Sequence, residues 1–492
     1  MSCKGASFPL RKPIRNWRFA LLAGLIATMP AAFPAQAPEK APVEAPFIVG
    51  VGTHISDGDR QLKESLSVMK QAGVTSLRED IAWGQVEKVR GQLEMPADID
   101  TFVDEALKVG VQPLLILDYG NRFYDSGKKP RSPEAIEAFC HYAEFVVRHF
   151  KGRVKIYEVW NEWDLNIGGA ETRNSAPELY ALLMQSADDY TTLIKHVYPR
   201  IKAVDPSIVV LGSGAPTAAG VRNGWLERVL AQGTLPFTDA VSIHTYAYSE
   251  TGRTRGPEAW AEWMEQLEAT LQKYHEQRPV PVYITETGWP TELDRNGTPP
   301  DVAATYLARI YLLARTMPFL KGMWWYDLQD DGWKPGEVEQ NFGLVRPDLT
   351  PKPAYFVLAD IAVFVSKATF AGRVETGDPD MWVLKFRDDS GRQTWAVWSA
   401  HADDGWQLIL KTKEANSTPI SICEAGRKPI QRAWGSRDWA DNRRNAPSVP
   451  DQLEITVREM PWLISGDLDS VTVTGVKRRE HAEGSRSNMV LH

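Results

Sequence analysis

The sequence predicts an α/β protein: a (β/α)8 TIM barrel followed by a small C-terminal antiparallel β-sandwich. Three observations predict it. Eight short, nearly continuous apolar runs alternate with helical patterns from Phe47 onward, and strands of that kind separated by helices imply parallel βαβ units. Polar and aromatic residues gather at the C-terminal ends of those runs, which a closed barrel brings to one face. After about Val365 the pattern changes to short strands split by turn-rich segments, as in a sandwich.

In order, the barrel strands are "FIVGVGTHI", "SLREDIAW", "QPLLILDY", "VKIYEVWNE", "SIVVLGSG", "AVSIHTYAY", "PVYITETGW" and "GMWWYDLQ". Helical stretches fall between them, among them Pro133 to Phe150, Ala176 to Val204 and Pro257 to His275. Eight such units fit a closed barrel better than the alternative, a doubly wound open sheet with its ligand at a topological switch point. The strand ends carry His54, then Arg78 and Trp83, then Asp118, Tyr119 and Asn121, then Asn161 and Glu162. Later ends carry His244 and Tyr246, then Glu286 and Trp289, then Trp324, Trp325 and Asp327. Barrel active sites are built at that face.

The second part is read from "MWVLKF", "TWAVWS", "WQLIL", "LEITV" and "PWLIS". The expected layout is a barrel over 47–365 and a sandwich over 366–474, with a polar, aperiodic loop from Arg432 to Pro450. A polar, basic tail over 475–492 is expected to be disordered. At the N-terminus, "RKPIRNWR", the apolar run "FALLAGLIATM" and "PAQA" read as a signal peptide over 1–37, followed by a linker over 38–46. The apolar run is shorter than the roughly 20 residues a spanning helix needs. A membrane contact is expected only if that segment is retained as an anchor. The expected location is periplasmic or secreted.

Composition narrows the function. At 492 residues the chain has room for one large domain plus a smaller one. The formal net charge of -7 argues against a nucleic-acid partner. Removing residues 1–37 takes away five basic residues and no acidic one, so a processed chain is more acidic still. The chain has 18 Trp, and indole rings offer flat platforms to sugar rings as well as core. Cys140 and Cys423 read as two buried thiols rather than a disulfide. No Cys or His spacing matches a zinc site, and no metal or cofactor is expected. "GVGTHI" and "GSGAPT" begin like Gly-rich loops, but neither completes a nucleotide-binding motif.

The sharpest feature is a pair of acids. Glu162 ends the fourth strand and Glu286 the seventh, so a closed barrel sets them across its mouth. Two such carboxylates can break a glycosidic bond. One is protonated to donate to the leaving oxygen, and the other is ionised to attack the anomeric carbon or activate water. Asn161 is placed to bond a sugar hydroxyl beside the reacting carbon. Arg78 and Tyr246 are candidates to keep Glu286 ionised. His244 would set the proton traffic of Glu162 or bind sugar. Trp325 is the candidate floor for a pyranose ring, and His54 and Trp289 complete the expected substrate contacts. A lone acid at a strand end is more often a solvated surface group; the pair with these neighbours is what points to chemistry.

"VWNEWD", "HTY" (His244 to Tyr246), "ITETGW" and "WWYDLQDDG" together resemble clan A of the glycoside hydrolases. The resemblance implies Asn161 and Glu162 as the Asn-Glu of the acid/base and Glu286 as the nucleophile. It implies a retaining mechanism, with carboxyl groups about 5–5.5 Å apart, where more than about 6.5 Å would mean inversion. The stretch from Leu77 to Asn121 is similar to the strand-two to strand-three region of family 39 and its bacterial relatives. Some of those are exopolysaccharide endoglycosidases. The expected activity is hydrolysis of β-type bonds in a polysaccharide or oligosaccharide, endo-acting on a bacterial exopolysaccharide. Three readings stand beside it: a transglycosylase with the same acids, an exo-acting β-glycosidase on plant glycan, and a non-catalytic carbohydrate-binding protein.

Overall fold

In a computed structural model, residues 45–55, 61–165, 175–291, 297–401, 406–413, 419–434 and 451–478 are described. The expected signal segment, most of the linker, most of the polar loop up to Pro450 and the tail beyond 478 lie outside the described residues.

Eight parallel strands close into a barrel in sequence order. They are β1 (Ile48–Gly52), β2 (Ser76–Ala82), β3 (Gln112–Asp118), β4 (Ile156–Val159), β5 (Val209–Gly212), β6 (Ala240–His244), β7 (Val282–Thr287) and β8 (Leu320–Trp325). Closure is made where β1 pairs with β8, Gly50 opposite Trp324. Alternation along each strand divides the apolar residues. Val51, Leu115, Tyr157, Ile284 and Trp325 belong to the main core under the helices. Leu114, Ile116, Ile156, Leu211 and Trp324 form a separate inner cluster that fills the barrel. Gly50 makes room for that filling: a Cβ there would lie 2.2 Å from the Trp324 ring.

The helices begin where the sequence signals a start. Helix Pro133–His149 has Ser132 as its cap, accepting from the Ala135 N–H at 3.2 Å, and Pro133 in its first turn. Helix Ala176–Val204 opens with a Ser175/Glu178 capping box. Among the described residues, no helix is long and apolar enough to cross a membrane. Cys140 and Cys423 are free thiols.

Helix Pro353–Lys367 leads directly into the β-rich part. Its strands are β9 (Thr369–Arg373), β10 (Met381–Arg387), β11 (Gln393–Ser399), β12 (Trp406–Thr412), β13 (Ile420–Glu424), β14 (Ile430–Arg432), β15 (Gln452–Val457), β16 (Trp462–Ser465) and β17 (Val471–Arg478). Six of them form one sheet in the order β14-β13-β16-β11-β10-β9, and three form another, β15-β12-β17. Val383, Trp395, Leu408, Ile455 and Ile464, from both sheets, share one core. The strand β17 continues past residue 474, where the sequence reading ended the sandwich. Its ladder with β12 runs on through Val476 and Lys477, and Val476 packs against that core.

The two parts are joined by buried polar contacts. Arg309, on helix Pro300–Ala314, is 1% exposed. It donates through Nε to the Glu459 carbonyl at 2.8 Å and through Nη2 to the Ser399 carbonyl at 2.7 Å. The Trp398 indole donates to Glu258 of helix Pro257–Lys273 at 2.8 Å.

Candidate active site

The run "IYEVWNEWD" turns sharply at its polar end. Strand β4 stops at Val159, and Trp160 and Glu162 take left-handed backbone, with φ of 75° and 47°. Few non-glycine residues sit there without support from their surroundings. The support is visible. The Trp160 N–H donates to the Leu117 carbonyl at 3.0 Å and the Trp163 N–H to the Gly214 carbonyl at 3.0 Å. The fully buried Trp163 indole donates to the Ser186 carbonyl at 2.8 Å. Asp164 accepts from the Thr217 N–H and hydroxyl at 3.0 and 2.6 Å. Trp160, Trp163 and Asp164 are thus the frame, and Asn161 and Glu162 are left to line a cavity.

That cavity, about 440 Å³, opens at the C-terminal ends of the strands. It is lined by His54, Arg78, Asp80, Tyr119, Asn161, Glu162, Tyr246, Tyr248, Glu286, Tyr326, Glu339 and Phe342, among others. Arg78 organises one wall. Its Nε donates to Glu158 at 2.7 Å, Nη1 to Glu286 at 2.6 Å and Nη2 to Asn161 at 2.8 Å. Tyr246 donates its hydroxyl to the other oxygen of Glu286 at 2.5 Å. His244 Nδ1 lies 2.9 Å from Glu162 and 3.4 Å from Glu286.

These contacts set the charges. Burial raises the Glu286 carboxyl, but His244, Arg78 and Tyr246 outweigh it and hold the group below its ordinary value. Burial lowers His244, and the charges and hydrogen bond of Glu286 and Glu162 outweigh it, so the imidazole is raised. Burial also pulls His54 down, yet the Asp331 hydrogen bond and the charges of Asp327, Asp331 and Glu79 lift it to about 9. Two trios bring donor types that could hold a cation within 4.8 Å of one another: Glu162, His244 and Glu286, and His54, Asp327 and Asp331. The first is already tied by its own hydrogen bonds, and the second by the His54–Asp331 pair at 3.2 Å.

Of the residues expected to meet substrate, His54, Arg78, Asn161 and Tyr246 line the cavity together with both acids. Three do not. His244 is fully buried behind the acids and touches them rather than the cavity. Trp325 faces the helices, packed 5.9 Å from Trp289, because the alternation of β8 turns Trp324 inward and Trp325 out. Trp289 is buried in the same layer and donates to the Arg255 carbonyl at 3.1 Å. The aromatic wall is made instead by Tyr246, Tyr248, Tyr326 and Phe342, in edge contacts of 5.3–6.1 Å. Sequence reading also missed Glu158, the buried anchor of Arg78. A lone acid within the four-residue strand "IYEV" was its signal.

Comparison with known proteins agrees with this geometry. The family model for cellulase (glycosyl hydrolase family 5) matches residues 42–315. A family 39 glycoside hydrolase from the gut symbiont Bacteroides cellulosilyticus WH2 superposes with a TM-score of 0.66 at 26% identity, covering 87% of this chain and 82% of that one. GH5_18 from Streptomyces cattleya, solved in complex with GlcNAc, shares the fold: TM-score 0.53, 17% identity, 68% of this chain and 83% of that one. The furostanol glycoside 26-O-beta-glucosidase of Hellenia speciosa is 29% identical over 136 residues, 26% of this chain and 24% of that protein. The chain thus spans about a quarter of the length of the curated relatives it matches. With eight strands closed as a barrel and a family match over more than half its length, the chain belongs to the cellulase family, glycosyl hydrolase family 5.

Proposed function

We propose that the chain is a retaining β-glycosidase that cuts within a bacterial exopolysaccharide outside the cytoplasm, with Glu162 as general acid/base and Glu286 as nucleophile. One observation carries the reading: a Glu162 oxygen and a Glu286 oxygen lie within 4.8 Å of each other, with His244 touching both acids. That closeness favours retention, since inversion needs room for a water between carboxyl groups about 6.5–9.5 Å apart.

In this mechanism Glu286, kept ionised by His244, Arg78 and Tyr246, attacks the anomeric carbon. Glu162 gives its proton to the departing oxygen, and a covalent glycosyl-enzyme forms on Glu286. Glu162 then takes a proton from water, which attacks the same carbon and frees the sugar. Asn161, oriented by Arg78 at 2.8 Å, offers its amide to a sugar hydroxyl. Export is supported by the basic-apolar-small pattern of residues 1–37. The polysaccharide reading is supported by the family 39 likeness from Leu77 to Asn121. An exo-acting β-glycosidase is the second reading, supported by the β-glucosidases among the relatives.

The test is reducing-sugar release from a polysaccharide panel, including exopolysaccharide of the source cell, by the wild type and by Glu286→Gln. Oligosaccharides from the wild type and near silence from the variant are expected. Equal activity of the two would remove Glu286 from the mechanism, and release of single sugars alone would favour the exo reading.

A further inference from the structure

Beneath the cavity, two strands carry a pair of acids that the proposed reaction does not use. Asp80 on β2 and Asp118 on β3 lie on neighbouring strands, in a register that sets Asp80 beside Ile116 and Asp118 beside Ala82. Asp118 is fully buried, and its carboxyl lies against that of Asp80. Among the described residues, no N–H or hydroxyl serves either oxygen of Asp118, or Oδ1 of Asp80. Arg78 commits its nitrogens to Glu158, Glu286 and Asn161. Tyr142 turns its hydroxyl to the backbone carbonyls of Ile81 and Asp118, not to the carboxyl. The Tyr119 hydroxyl accepts from the Asn161 amide at 3.3 Å, and both Asp118 oxygens are without a hydrogen-bond partner among the described residues.

Two ionised carboxylates in buried contact repel one another with no donor between them. One proton removes the conflict: a carboxylic acid is a donor, and the carboxylate beside it is a strong acceptor. Asp80 is the member that lines the cavity, next to Arg78, Tyr119 and Asn161. We propose that Asp118 holds a proton at neutral pH and donates it to Asp80, and that Asp80, so fixed, accepts a hydrogen bond from a hydroxyl of the sugar substrate. Asp118 is then a positioning residue. The groups around the pair agree. Burial is the largest influence on each acid and raises both. On Asp118 the charges of Asp80 and Glu158 add to it and Arg78 opposes. On Asp80, Arg78 and His54 oppose it and Glu286 adds to it.

The hydroxyl contact rests on the glycosidase reading; the shared proton does not. Two measurements on the full chain separate them. The infrared difference between wild type and Asp118→Asn at neutral pH should show the carbonyl band of a protonated carboxylic acid in the wild type alone. In kinetics, Asp118→Asn supplies an N–H in place of the acid O–H and should keep KM close to wild type. Asp118→Leu and Asp80→Asn should each raise KM roughly tenfold, with kcat changed less. Absence of the infrared band overturns the shared proton. Asp118→Asn as impaired as Asp118→Leu, or Asp80→Asn with unchanged KM, overturns the positioning role. If Asp118→Leu does not fold, the band and the Asp80→Asn kinetics still decide. A wild type that cleaves no glycan sinks the glycosidase reading while leaving the band to judge the pair.

Discussion

Arg78 and Glu286 meet at 2.6 Å across the mouth of the barrel, from β2 to β7. The same guanidinium is anchored at its Nε by Glu158, which has no exposed surface. One side chain therefore sets the position of the proposed nucleophile, of Asn161 and of a buried acid at once. A lysine offers a single point charge and cannot serve three directions. Arg78→Lys is expected to lower kcat/KM at least a hundredfold, on the scale of about 3 kcal/mol for a broken buried pair. Initial rates on any cleaved glycan check this, with circular dichroism to confirm the fold; a loss under tenfold would contradict the role.

Tyr246→Phe removes the 2.5 Å hydrogen bond to Glu286. Hydrogen bonds to charged groups are worth about 1.5–3 kcal/mol, so kcat/KM should fall roughly ten- to a hundredfold. Burial already raises Glu286, and Tyr246 is one of the groups that outweigh it. Without the phenol the carboxyl titrates at higher pH, so the acid limb of the kcat/KM profile should move up. An unmoved limb would mean that another group is titrating there.

His54 titrates at about 9 in the folded chain, against an ordinary value of 6.5. A histidine raised in this way adds stability that is fully present below 6.5 and is lost as pH rises through about 9. The upper limit is about 3 kcal/mol, reduced by the water that reaches this partly exposed ring. Wild type should lose more stability than His54→Gln between those two pH values in urea unfolding. Parallel curves for the two proteins would contradict the Asp331 pairing.

Gly288 follows the strand of the proposed nucleophile, and a Cβ there would lie 2.3 Å from the Tyr326 backbone oxygen. Backbone cannot swing aside as a flexible side chain can. Gly288→Ala should therefore displace Tyr326 from the aromatic wall and cost about 1–3 kcal/mol of stability. Melting temperature and KM are the readouts, and both should worsen together.

Much of this architecture was legible because strands and helices announce themselves by period. "VKIYEVWNE" and "PVYITETGW" place Glu162 and Glu286 by strand order alone, and barrel closure does the rest. What escaped depends on finer facts. Trp324 and Trp325 are adjacent, so choosing the inward ring needs the register of β8 against β1, which periodicity does not supply. Glu158 and Asp80 are charged residues inside strands, and their worth comes from Arg78 and Asp118, which are distant or separate in the chain. Tyr248, Glu339 and Phe342 reach the cavity from segments beyond strand ends, where the path of the chain is set by tertiary packing.

The guanidinium of Arg309 has a consequence for how the molecule comes apart. Its carbonyl partners, Ser399 and Glu459, belong to the sandwich, while its own helix belongs to the barrel. Peeling one part from the other would break both of these hydrogen bonds and expose to water the apolar surface of Leu384, Phe386 and Trp398, which belong to the same core as the barrel helices. The sandwich therefore acts as a clasp on the barrel rather than a swinging attachment. Denaturation should register a single event, and a chain cut after Lys367 should yield a barrel that no longer holds its shape.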